Sequence, residues 1–116
     1  MSITLEHARA VVDGAIAKAR DLELKPVSVV VLDDRGSLVA AASEDGVSAM
    51  RARIAHGKAN AAIQLGMGTR ALMNRAEQQA YFIQAMNGLA GGDMVPVPGG
   101  VLLRDGSGEL LGAVGP

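Results

Sequence analysis

Apolar residues recur at Leu5, Ala8, Val12, Ala15, Ile16 and Ala19, the spacing that lays one face of a helix along a core. Arg9, Asp13, Lys18 and Arg20 fall largely elsewhere on the circumference. Thr4 is a capping residue type ahead of this run, with Glu6 and His7 in the first turn. Lys25-Pro26 closes it, since proline biases its predecessor away from the α region. The pattern predicts a helix of about 18 residues. The period then changes. Residues 27–32 (VSVVVL) are β-branched and nearly continuously apolar, a strand buried on at least one face. Asp33-Asp34-Arg35-Gly36 has turn chemistry, and residues 37–42 return as the second strand of an antiparallel hairpin. Ser48 opens a second helix to about Leu65, with Ile54, Ala55, Ala59, Ala62 and Ile63 as its apolar stripe. Gly66 and Gly68 bracket its end, and shorter helices follow over residues 69–75 and 78–87.

The last quarter is different. Gly91-Gly92 and Pro98-Gly99-Gly100 frame residues 94–97, whose Pro96, like Pro98 beside it, has no N–H for a ladder; this segment is an edge strand or an irregular one. Residues 101–103, a turn at 105–108 and residues 109–114 predict a second hairpin. The order predicts one α+β domain over residues 1–116, an antiparallel sheet of about five strands with helices against it.

Composition narrows the chemistry. The chain is 49% hydrophobic but 2% aromatic, with only Tyr81 and Phe82, so its core is built from Ala, Val, Leu, Ile and Met. The methionines (Met1, Met50, Met67, Met73, Met86, Met94) read as gap-fillers in such a core rather than as thioether ligands. Eleven basic residues stand against twelve acidic ones with no long basic run, and rings for base stacking are scarce, so nucleic acid is not an expected partner. The densest basic cluster, Arg51, Arg53, His56 and Lys58, reads as a solvated helix face. Without cysteine there are no disulfides, thiolate metal sites or thiol nucleophiles. The opening MSITLEHARAVVDG is not a signal peptide and no apolar run would span a bilayer, so the expected place is the cytoplasm, away from membranes.

Three ordered stretches resemble the GlcG/HbpS/PduO-C-terminal family. The run Ile54-Ala55-His56-Gly57-Lys58-Ala59-Asn60-Ala61-Ala62 is similar to its I-A-x-x-K-A-x-x-A helix. The stretch from Pro98-Gly99-Gly100-Val101 to Gly106, then Gly112-Ala113-Val114-Gly115, is similar to its P-G-G-V…G…G-A-x-G ending, and the first helix followed by P-V-S-V-x-V-L-D-x-x-G-x-L-V is similar to its opening. The resemblance implies a profilin-like fold with a five-stranded antiparallel sheet and assembly into homo-oligomers of even subunit number. It also implies a place beside catabolic operons and, in some members, haem binding or degradation. Relatives run past G-A-x-G into V-S-G and a closing helix, whereas this sequence ends at Gly115-Pro116. The expectation is an apolar sheet face left for partner subunits to cover.

The residues offer few chemical candidates. His7, in the first turn of a helix whose dipole disfavours imidazolium, would be a neutral imidazole able to ligate haem iron, or an ordinary surface histidine. His56 is the other possible iron ligand; Gly57 beside it would let a flat ligand or another backbone come close. Lys58 matches a fixed position of the family helix and would pair with a carboxylate such as a haem propionate or an organic acid, or with Asp33. The Gly99-Gly100 turn would present backbone N–H groups to an anion or simply begin a strand, and Arg104 is a weaker anion candidate. Triads assembled on paper from Ser43, Ser48 or Ser107 with a histidine lack a nucleophile-elbow sequence, and no H-E-x-x-H is present. Three functions remain: a binder of haem or a related carboxylated ligand at a subunit-interface cleft; a small catabolic enzyme or accessory protein acting on an organic acid or diol through Lys58, Gly99, Gly100 and Arg104; and a structural oligomerisation module.

Overall fold

The computed structural model describes residues 2–116, so Met1 lies outside the described residues. Helix α1 (Leu5–Asp21) starts as expected, with Thr4 Oγ1 accepting the His7 N–H at 3.2 Å. It ends before Lys25-Pro26, because Glu23 turns left-handed (φ 55°) and the chain closes on itself. The Glu23 and Leu24 N–H groups donate to the Arg20 and Ala19 carbonyls at 3.1 and 3.0 Å, which satisfies the last turn without proline. Arg20 then pairs with Glu44 at 2.8 Å.

Strands β1 (Ser28–Asp33) and β2 (Leu38–Ser43) form the first hairpin, its turn held by Asp33 Oδ1 accepting from the Arg35 and Ser37 N–H groups, both at 2.9 Å. Helices α2 (Ala49–Leu65), α3 (Thr69–Gln78) and α4 (Ala80–Leu89) follow, and β3 (Val101–Arg104) and β4 (Leu110–Gly115) form the second hairpin. The protein is thus α+β, with a sheet in the order β2-β1-β4-β3, antiparallel throughout.

The described residues hold four strands in this sheet rather than five. The segment that would have supplied the fifth, residues 94–97, is irregular. Proline leaves it without a continuous row of donors, and its Val95 N–H goes to the Gly57 carbonyl of α2 at 3.1 Å instead of to a strand.

Burial on β1 explains its continuous apolar run. Val29 and Val31 pack with Ile3, Ala8 and Val12 on the α1 side; Val30 and Leu32 pack with Ala55, Ala59, Ala62 and Ala113 on the α2 side. A third cluster, Ala61, Leu72, Ile83 and Met94, joins α3 and α4 to the outer side of α2, with Met67 and Met86 filling in around it. Small residues set how closely α2 lies: a Cβ on Gly115 would stand 2.0 Å from the Ala55 carbonyl oxygen. Among the described residues no helix is long and apolar enough to cross a membrane.

Candidate functional site

Helix α2 packs over β1, β4 and β3, leaving the same face of β2 uncovered. Leu38 is 63% exposed there. Between α2 and β2 runs an open groove of about 290 Å³, floored by Val30, Leu38, Ala41 and Ala52, with Arg53, His56 and Asp93 at its polar rim. Arg53 and His56 are three residues apart and so share one side of the helix.

His56 is half-buried, and its Nδ1 lies 3.3 Å from Asp93 Oδ2. A carboxylate there favours the proton on Nδ1 and leaves Nε2 as the free electron-pair donor, the arrangement that orients metal-binding histidines. Asp93 follows α4 in a loop that is tied down at several points. Asn60, almost fully buried, donates from Nδ2 to the Asp93 carbonyl at 2.9 Å and accepts from Gln64 Nε2 at 3.1 Å. Asn87 Oδ1 accepts the Met94 N–H at 3.1 Å. Gly57 completes the clamp, since a Cβ on it would stand 2.5 Å from Val95 Cγ2. The space left by this glycine is therefore filled chiefly by the Val95 side chain, not by a flat ligand.

Lys58 leaves α2 about 200° round from His56. It meets the Pro98-Gly99-Gly100 turn: a Cβ on Gly99 would lie 3.3 Å from Lys58 Nζ, and one on Gly100 would lie 2.5 Å from the Lys58 carbonyl oxygen. Lys58, Gly99 and Gly100 thus come together. The Gly100 N–H is already engaged, donating to Thr69 Oγ1 at 2.7 Å, while the Thr69 N–H donates to the Gly100 carbonyl at 3.0 Å. Burial, and then the nearby Arg51 guanidinium, push the Lys58 ammonium below the usual lysine range. No acidic side chain pairs with Lys58 among the described residues, and Asp33 is occupied in its own turn.

The other candidates stand apart. His7 is exposed on the first turn of α1, and Arg104 donates to the Gly108 carbonyl at 3.2 Å within the β3–β4 hairpin. The Ser43 hydroxyl is 2.8 Å from that of Ser28 and the Ser107 hydroxyl donates to Asp105 at 2.7 Å, so neither completes a triad with a histidine. The basic cluster of α2 splits, with Arg53 and His56 on the groove side and Arg51 near Lys58 on the other. Sequence reasoning missed Asp93 and the place of Arg53. The only hint of Asp93 was an acid directly after Gly91-Gly92.

The sequence model of the family described as haem degrading protein HbpS-like matches residues 3–116. Similar solved structures include PduOC in complex with haem (TM-score 0.85, 21% identity, covering 99% of this chain and 81% of that one). HbpS is similar with a TM-score of 0.81 and 23% identity over 99% of this chain and 76% of that one. ORFY of Klebsiella pneumoniae gives 0.80 and 23% over 97% and 76%. At these identities the likeness is one of fold. No curated protein matches the sequence.

Proposed function

The chain belongs to the HbpS-like family, and from that premise we propose that it binds haem, or a similar planar carboxylated ligand, in the α2–β2 groove at a subunit interface. The observation that carries the reading is His56, backed by Asp93 on the rim of an apolar groove. Among the described residues no three His, Asp or Glu side chains gather to hold a metal ion. Haem carries most of its iron's ligands itself, so the lone His56 would suffice to hold it here. Arg53 on the same rim is placed to fork onto a propionate, the role the sequence suggested for Lys58. The groove's volume is at the bottom of the range for ligand pockets, ~300–1,000 Å³, so a second subunit must supply the other wall. Bound haem iron would supply redox and oxygen chemistry, while the chain's residues hold the ring and shield it from water. Haem breakdown, or an accessory role in cytoplasmic catabolism, is the activity this reading carries.

Hemin titration followed by the Soret band is the test. Saturable binding is expected, weakened tenfold or more by His56→Ala and unchanged by His7→Ala. No saturable shift, or one indifferent to His56→Ala, overturns the reading.

One observation favours a second reading: the Lys58 ammonium beside Gly99, without an acidic partner, could hold the carboxylate of a small organic acid. Thermal-shift measurements with glycolate, other hydroxy acids and diols should then show stabilisation that Lys58→Met removes. Absence of any shift rejects it.

A further inference from the structure

Two cations on helix α2 lack counter-charges. Arg51 and Lys58 are seven residues apart, so they lie on one face of the helix with their Cα atoms about 10 Å apart along its axis. The guanidinium is close enough to act on the charge of the ammonium. Neither side chain has a hydrogen-bond or ion-pair partner among the described residues. Both placements go against local physics. Arg51 stands in the first turn of α2, where the helix dipole disfavours a cation, and no acidic residue shares that turn. Lys58 is half-buried beside a like charge. Sequences break local rules in this way chiefly at functional sites.

The surroundings of the pair are ordered. Gly99 is left-handed (φ 130°), and a Cβ on it would stand 3.3 Å from Lys58 Nζ, so glycine keeps that side of the ammonium open. The Gly99 N–H has no acceptor among the described residues. Buried Thr69 fixes the turn: its hydroxyl accepts the Gly100 N–H at 2.7 Å, and its own N–H donates to the Gly100 carbonyl at 3.0 Å. Between the two cations along the helix lie Ile54, half-buried, and the buried Ala55. The face is thus charged at both ends and apolar in the middle.

We propose that Arg51, Lys58 and the Gly99 N–H form a site for a small dicarboxylate, one carboxylate meeting Lys58 and Gly99, the other meeting Arg51. This rests on the organic-acid reading of Lys58 and narrows it to acids with two separated charges. A single-centred anion would have to draw both cations to one point against their repulsion. Two carboxylates joined by methylenes answer each cation where it stands and lay hydrocarbon along Ile54. Arg51 can fork onto a planar carboxylate, while Lys58 supplies a point charge. The site lies well round α2 from His56, so its occupancy does not require haem.

Titration calorimetry at low salt with succinate, butyrate, glycolate and inorganic phosphate is the test. Succinate should bind roughly tenfold more tightly than butyrate, as expected for one more charge-assisted contact, and phosphate should do no better than butyrate. Lys58→Met should abolish the binding of every acid. Arg51→Met, at an exposed position, should lower succinate to the butyrate level and leave butyrate unchanged. Gly99→Ala should weaken succinate by crowding Nζ; if the strained alanine unfolds the turn, Arg51→Met decides. Arg35→Met, in the β1–β2 turn, should change nothing. Equal binding of succinate and butyrate, a succinate preference that survives Arg51→Met, or phosphate binding more tightly than succinate overturns the site. Glycolate binding that Lys58→Met removes, without a preference for succinate, keeps the organic-acid reading and rejects the dicarboxylate site alone. No response to any acid defeats both.

Discussion

The two sides of helix α2 differ sharply in how closely their neighbours approach. On one side backbone meets backbone: a Cβ on Gly115 would stand 2.0 Å from the Ala55 carbonyl oxygen, and one on Gly100 2.5 Å from that of Lys58. On the other side Ala52, Arg53 and His56 look over an open groove above the uncovered face of β2. The tight side explains the open one. Glycine and alanine draw the helix onto β1 and β4, away from β2, and the strand left bare floors the groove. Close packing therefore sets where the helix sits, and the groove side is free to carry polar groups at little cost to the core.

Breaking the tight side should have the largest effect. Gly115→Ala puts a methyl into a helix carbonyl that cannot withdraw without moving α2, and should cost about 3 kcal/mol or more in urea unfolding. A fall in Tm of more than about 10 °C accompanies it; a loss below about 1 kcal/mol would show the seat to be loose. Next comes Asn60→Ala, which removes the buried amide holding the Asp93 loop to α2 and should cost about 2 kcal/mol. It should also weaken hemin binding, because Asp93 loses its place beside His56.

Asp93→Asn sharpens the comparison by touching only the open side. Stability should stay within about 0.5 kcal/mol of wild type, while hemin affinity falls roughly 10- to 100-fold through the loss of the histidine's carboxylate partner. Equal losses in both would mean that Asp93 is structural.

The smallest change is expected from Lys58→Met, which keeps the stem and removes the charge. The folded state holds the Lys58 proton less tightly than the unfolded chain, whose lysine keeps its ordinary value of 10.5. Charging Lys58 therefore disfavours folding at neutral pH. That penalty fades as pH rises from the lowered value towards 10.5. The variant should be more stable by a few tenths of a kcal/mol near pH 7, since the site is half-solvated, and the advantage should vanish in alkaline urea titrations. A constant difference across pH would assign it to packing instead.

Much of the fold was legible because its causes are local. Apolar period marked α1 and α2 and the Thr4 cap marked the start of α1, while Ser48 and Gly66 stand at the two ends of α2, Ser48 without a capping side-chain hydrogen bond. The continuous run in β1 signalled burial, and helices on both faces account for it. Errors came where distant segments competed. The residues expected to supply a fifth strand follow the chemistry of their prolines and dock on Gly57. Helix α1, by contrast, has close to the expected length, although the left-handed Glu23 that closes it is announced by no proline or glycine. Of the candidate site, the approach of Lys58 to Gly99 and Gly100 was foreshadowed only by two motifs of a resembled family. The pairing of His56 with Asp93 was not legible at all, because the Asp93 loop is placed by Asn60, Asn87 and the missing side chain of Gly57.

The sequence by itself determined the elements and the inventory: where helices and strands begin to form, the absence of thiols, and two histidines as the only imidazoles. Those follow from neighbours along the chain, whose spacing sets which residues share a face. Only the tertiary structure decided which face stayed open and which histidine acquired an acid. The position of a helix on a sheet is settled by how closely backbones from distant segments can approach, and no local period records that.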